Sequence, residues 1–160
     1  MKFTNIFKRK KNRGFEPVQG YENEFGSMVK MPYRSTHKSA GYDISAIGSY
    51  VILPGSKGVI NTGLTAYMKE NEWLALFVRS GLAFNNDLTL QNATGVIYSD
   101  FYGKHIRILL RNEGKEPFHV NHGDRIAQGV FLQYLKADED AATAKKLRKD
   151  GFGSTGVKAA

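Results

Sequence analysis

Apolar and polar residues alternate along this chain in the manner of short β-strands. In "HIRILLRN" (residues 105–112), Ile106, Ile108 and Leu110 alternate with His105, Arg107 and Leu109, the period-two pattern of a strand with one buried face. "YVIL" (50–53), "GVINTGLTAYM" (58–68) and "EWLALFV" (72–78) are further β-like runs. "RIAQGVFLQYL" (125–135) has alternating or continuous apolar character. Turn-forming clusters stand between the runs: "PGSKG" (54–58), "NEGKEP" (112–117) and "NHGD" (121–124). Many short strands with regularly spaced turns predict an all-β barrel or sandwich. The best helical stretch, "DEDAATAKKLRK" (138–149), has almost no apolar face. It predicts a linker or a frayed helix.

Composition narrows this picture without changing it. A chain of 160 residues suits one domain with a sizeable core. A hydrophobic share of 41% and mixed charge fit a soluble globular protein. No apolar run approaches the roughly 20 residues that span a bilayer, so no membrane partner is expected. The absence of cysteine excludes a disulfide scaffold and a Cys-ligated zinc site, which fits a cytoplasmic protein. Four histidines without HExxH spacing argue against a His-based metal centre.

The net charge of +8 raises the question of nucleic acid, and its location answers it. Residues 1–13, "MKFTNIFKRKKNR", carry six Lys or Arg and no acid, which leaves +2 for the rest of the chain. Phe3, Ile6 and Phe7 have one-face helical spacing beside Lys8, Arg9, Lys10 and Lys11. Such a tail can touch a membrane surface or nucleic acid, but a solvated extension is the simpler expectation. The domain itself shows no basic stripe with interleaved aromatics, so no specific nucleic-acid partner is predicted. At the other end, "KDGFGSTGVKAA" (149–160) is small, polar and glycine-rich around one phenylalanine. It is either a disordered terminus or an arm whose amides wrap phosphates.

Five short motifs carry the candidate chemistry: "AGYDISA" (40–46), "RSGLAF" (79–84), "LQNATGVIYSDFYG" (90–103), "GDRIAQG" (123–129) and "RKDGFGSTG" (148–156). Singly each has a plain explanation: a turn into a strand, a strand end with a solvated arginine, a turn with Asp124 and Arg125 paired on the surface, a flexible linker. In this order on a short all-β chain, they resemble the five motifs of the trimeric dUTP diphosphatase family. The resemblance covers roughly residues 30–156. "RGFEPVQGYENE" (13–24) also looks like the extended N-terminal strand of some bacterial and phage members.

The resemblance implies a distorted jelly-roll β-barrel of the β-clip type, forming a homotrimer with active sites at the subunit interfaces. It implies hydrolysis of dUTP to dUMP and pyrophosphate, with Mg²⁺ held mainly by the triphosphate. It divides the chain into a basic extension (1–12), the barrel domain (13–137) and a linker with a glycine-rich arm (138–160). By the family pattern Arg79, Ser80, Gly81 and Gln128 contact the phosphates, and Asp43 lies near the metal, acting through water. Planar, permanently charged arginine suits phosphate, and Mg²⁺ dehydrates reluctantly, which suits a water-mediated carboxylate. Asn92 aligns with the asparagine that binds uracil, helped by backbone at Gly95, Val96 and Ile97. An amide presents both donor and acceptor to a pyrimidine edge. In the last motif Arg148 reaches the terminal phosphates, Phe152 stacks on the base, and Gly153, Ser154 and Thr155 close around the chain.

Two positions depart from the family's "G-x-I-D-x-x-Y". Tyr98 stands where the family has the aspartate that activates water, and Phe101 where it has the tyrosine under the deoxyribose. A phenol with a pKa of about 10 is a poor base at neutral pH. Asp100 is a candidate substitute base, because residues 98 and 100 share a face in extended backbone, although a tight turn there would spoil that equivalence. The enzyme is therefore expected to be slow. The alternative is a degenerate dUTP-binding regulator that engages a partner protein. A deaminase of the same superfamily fits less well, because Asn92 with the "GVI" frame looks like uracil recognition.

Overall fold

The computed structural model of the protein describes residues 11–21 and 29–140. Ten strands and one short helix follow one another in this part of the chain. They are β1 (Gly14–Pro17), β2 (Tyr42–Ser45), β3 (Tyr50–Ile52), β4 (Lys57–Tyr67), β5 (Glu72–Phe77), α1 (Ser80–Asn86), β6 (Leu88–Leu90), β7 (Gly95–Tyr98), β8 (Ile106–Asn112), β9 (Phe118–Val120) and β10 (Arg125–Gln133). The first four-stranded sheet has the order β1-β4-β8-β6 and the second β2-β10-β5-β7, with a β3-β9 ribbon beside them. All pairings are antiparallel. The expected all-β jelly-roll architecture is what the chain adopts.

The alternating residues make the core. Ile106, Ile108 and Leu110 of β8 are buried as their spacing predicts, with Ile60 and Leu64 of β4. Ile44, Leu74, Leu76 and Ile97 face them from the second sheet within the same cluster. β1 closes the first sheet through Phe15, whose ring lies 5.6 Å from Tyr42 and 5.3 Å from Phe131 of the second sheet. Arg13, just before β1, donates to both oxygens of the buried Glu72 at 3.1 and 2.5 Å.

Two irregularities matter for the site. β4 shifts register between Asn61 and Leu64, where Gly63 has φ +69, a left-handed conformation suited to glycine. The ring Nε2 of His105 accepts the amides of Thr62 and Gly63 at 3.2 and 2.9 Å. β10 shifts register between Arg125 and Ala127, with consequences described below.

Two elements were not read from the sequence. "RSGLAF" forms no strand end; after Arg79 in extended backbone the chain turns into α1. That helix buries no residue fully and ends at Asp87 in the left-handed region, so no apolar period announces it. β6 is three residues long, with Leu88 and Leu90 buried around exposed Thr89, too short a run to be told from a turn.

Candidate active site

β2, β10, β5 and β7 lie side by side, and their register sets which side chains share a face. Gln128 pairs with Asp43 of β2 and Phe77 of β5. Leu76 pairs with Gly95 and Trp73 with Tyr98. Since Ile44, Leu74, Leu76 and Ile97 point into the core, Asp43, Gln128, Val96 and Tyr98 are on the outer face.

Arg125 joins them through the β10 irregularity. Positions 125 and 128 differ by three, so an unbroken strand would put them on opposite faces. The extra residue at the bulge restores Arg125 to the face of Gln128, opposite Ser45. There the Nη1 of Arg125 donates to Asp43 Oδ2 at 3.0 Å and to Ser35 Oγ at 3.2 Å. Ser35 donates to the same Oδ2 at 2.6 Å. From the other side Arg79 Nε meets Asp43 Oδ1 at 2.9 Å, and Arg79 Nη1 lies 3.4 Å from the Arg125 carbonyl. The Asp43 side chain is only 10% exposed. Burial pushes its pKa up, but the Ser35 hydroxyl and the charges of Arg79 and Arg125 outweigh it and hold the group below its ordinary range.

The remaining phosphate candidates are close by. Gln128 donates to the Val78 carbonyl at 3.3 Å, one residue before Arg79. Ser80 and Gly81 are exposed in the first turn of α1, where a helix leaves its amides without intrahelical acceptors. The pairing of Asp124 with Arg125 considered from the sequence does not form. Asp124 Oδ2 accepts the Asn121 amide at 2.8 Å and closes the "NHGD" turn.

The pyrimidine-side candidates lie at the other edge. Asn92 is exposed in the loop between β6 and β7, and its carbonyl accepts the Thr94 amide. Among the described residues β7 is the edge strand of its sheet, so half of its peptide groups point away from β5. Gly95 packs so tightly that an added Cβ would meet Leu76 Cβ at 2.9 Å.

Tyr98 is 46% exposed. A 3₁₀ turn, Ser99–Phe101, starts immediately after it. The backbone thus leaves the extended conformation at Ser99, and Asp100 does not share a strand face with residue 98. The turn sends Phe101 inward, where it is 6% exposed in the core. The flat surface expected beneath a sugar is therefore not presented by Phe101 in the protomer. Arg148, Phe152, Gly153, Ser154 and Thr155 lie outside the described residues.

Tyr98 and Asp43 are far apart within one chain. Two intervening strands and four residues of offset, at about 4.8 Å per strand and 3.3 Å per residue, separate them by roughly 19 Å. They cannot both reach one phosphorus in a single protomer.

A family profile described as dUTPase matches residues 27–156. The chain belongs to the dUTPase family. It is 41% identical over 152 residues to the deoxyuridine 5'-triphosphate nucleotidohydrolase of Lactococcus lactis, covering 92% of this chain and 99% of the relative. The enzyme of the same name from Helicobacter hepaticus is 35% identical over 134 residues, 82% of this chain and 84% of that one. The crystal structure of the dUTPase from Streptococcus mutans superposes with a TM-score of 0.70 at 34% identity, covering 78% of this chain and 98% of that one. The dUTPase of Staphylococcus bacteriophage 80alpha, at 22% identity and a TM-score of 0.66, shares the fold over 91% of this chain and 99% of its own. Sequence reading missed two members of the site: Arg125, assigned to its neighbour Asp124, and Ser35. The bulge that turns Arg125 toward Asp43 has no signal in residue spacing.

Proposed function

We propose that this protein hydrolyses dUTP to dUMP and pyrophosphate, slowly, as a homotrimer with shared active sites. The observation that carries this reading is the convergence of Asp43, Arg79, Arg125 and Gln128 on one sheet face, from motifs scattered over the chain. Arg79, with the Ser80 and Gly81 amides, binds the phosphates and stabilises charge passing to the leaving pyrophosphate. Asn92 and the outward edge of β7 read the uracil, and pairing with main chain in the narrow hairpin leaves little room for a 5-methyl group. Phe152 stacks on the base, while Arg148, Gly153, Ser154 and Thr155 close the site and exclude water.

Both oxygens of Asp43 are already engaged by Arg79, Ser35 and Arg125. Among the described residues no group of three or more His, Asp or Glu side chains could hold a metal. Direct ligation by the protein does not fit, whereas Mg²⁺ carried on the triphosphate, with Asp43 contacting its water, does. Bound there, the ion neutralises phosphate charge. The separation of Tyr98 from Asp43 supports assembly of each site from different copies, with β7 of one chain facing the arginines of another.

Tyr98 makes the reaction slow, since losing a general base costs about 10² to 10⁴ in rate while phosphate stabilisation remains. Tyr98→Asp should raise turnover by a factor in that range. Pyrophosphate release measures it, and dUTP affinity should change less than about threefold. Affinity is read from Trp73, the single tryptophan and the cross-strand neighbour of Tyr98. Absence of turnover in both forms would sink the hydrolase reading. The kept binding frame without its carboxylate also supports a second reading, a dUTP-binding regulator; tight binding without hydrolysis in the native chain would favour it.

A further inference from the structure

We propose that Arg79 and Arg125 together form a two-guanidinium receptor for polyphosphate, with Asp43 as its resting counter-ion. Binding is then an exchange of anions, not the filling of an empty site. The inference rests on reading Arg79 as a phosphate ligand and adds a second arginine and a reversed role for the carboxylate.

Charge is the first support. Two guanidinium groups share one carboxylate, so the cluster keeps a net charge of +1 after internal pairing. Exposure is the second. The Arg79 and Arg125 side chains are 28% and 40% exposed, while Asp43 between them is 10% exposed. The cations face solvent and the anion does not. Hydrogen-bond capacity is the third. Arg79 commits Nε and Nη1, and Arg125 commits only Nη1. Among the described residues Nη2 of Arg79, and Nε and Nη2 of Arg125, have no protein acceptor. A guanidinium carries five donors in a fixed fork, so the pair retains capacity for several phosphate oxygens.

Asp43 meanwhile occupies the inner donors of both arginines. With Ser35 it fixes their separation, but it also competes with any incoming anion. Removing its charge should therefore strengthen metal-free polyphosphate binding, while removing a cation weakens it. A role for Asp43 as scaffold alone predicts the same sign for both changes.

The test is calorimetric titration of the full-length protein with inorganic tripolyphosphate, without divalent metal, beside dUTP turnover on the same samples. Asp43→Asn should bind tripolyphosphate about tenfold tighter and Arg125→Gln about tenfold weaker, the size of one charge-assisted hydrogen bond. Arg125→Lys, which restores the charge without the fork, should fall between. Arg111→Gln, remote and paired with Glu113, should match the native chain. Equal or weaker binding by Asp43→Asn overturns the counter-ion role, and native affinity in Arg125→Gln overturns the receptor. Should Asp43→Asn fail to fold, Arg125→Gln against Arg111→Gln still decides whether the two arginines form the receptor. A native chain that turns over dUTP but does not bind tripolyphosphate refutes the receptor alone. One that does neither refutes the functional reading with it.

Discussion

At the scale of single residues, geometry makes ordinary side chains specific. Gly95 is required less for conformation than for space: a Cβ would lie 2.9 Å from Leu76 Cβ and 3.0 Å from Leu76 Cδ1. Gly95→Ala should push β7 from β5, costing about 1–3 kcal/mol. It should also raise KM for dUTP more than it lowers kcat, which steady-state kinetics and urea unfolding would separate. His105 works through its charge state. Burial, then the charge of Arg107, lower its pKa from 6.5 to about 4, and the neutral ring accepts two amides at the β4 bulge. A group depressed in this way contributes its full stability above pH 6.5, and loses it as the pH falls from 6.5 to about 4. Because the ring is only partly buried and solvent screens its charge, the change is about 1–3 kcal/mol. His105→Gln, which keeps a neutral acceptor, should lack that component when unfolding free energies are compared across this range. Identical pH profiles would show that His105 is not responsible.

At the scale of elements, β1 ties together parts of the molecule that the site depends on. Its Phe15 joins Tyr42 of β2 and Phe131 of β10 in one aromatic group. Glu16 accepts from Tyr102 at 2.8 Å, just past the turn that follows Tyr98. Phe15→Ala removes a buried aromatic ring between two sheets and should cost about 3–5 kcal/mol in denaturant unfolding. The same change should loosen the Tyr98–Tyr102 segment, visible as faster amide exchange there. A cost below about 1 kcal/mol would mean that β1 is not a member of the core.

At the scale of the whole molecule, the outer face of the second sheet is unusual for a surface. Val130, Ala75 and Val96 lie in one row across it, and Leu132, Trp73 and Tyr98 in the next. Val96, Tyr98 and Leu132 are 44%, 46% and 39% exposed. A contiguous apolar face of this kind suits burial against further copies of the chain, in agreement with the proposed homotrimer. Val130→Asp should convert a species of three times the monomer mass into monomer in analytical ultracentrifugation. Turnover should fall with it, because the site would lose its second chain. A monomeric native protein with full activity would contradict the shared-site assembly.

Strand identity was legible because it depends on local alternation. Ile106, Ile108 and Leu110 declare a buried face through spacing alone, and the motif order declares the family. Asp43, Arg79 and Gln128 were legible as candidates for the same reason. What the sequence could not carry is parity across a bulge and direction after a turn. Arg125 reaches Asp43 only because β10 gains a residue between Arg125 and Ala127. Phe101 leaves the surface only because the 3₁₀ turn rotates it inward. The sequence by itself determined the all-β class, through residue type and spacing, and, through the resemblance of its ordered motifs to the dUTPase family, the candidate residues and the substitution at Tyr98. Tertiary structure alone decided which charges pair and how far Tyr98 stands from the phosphate cluster. Both depend on strand register, which is fixed by side chains distant in the chain.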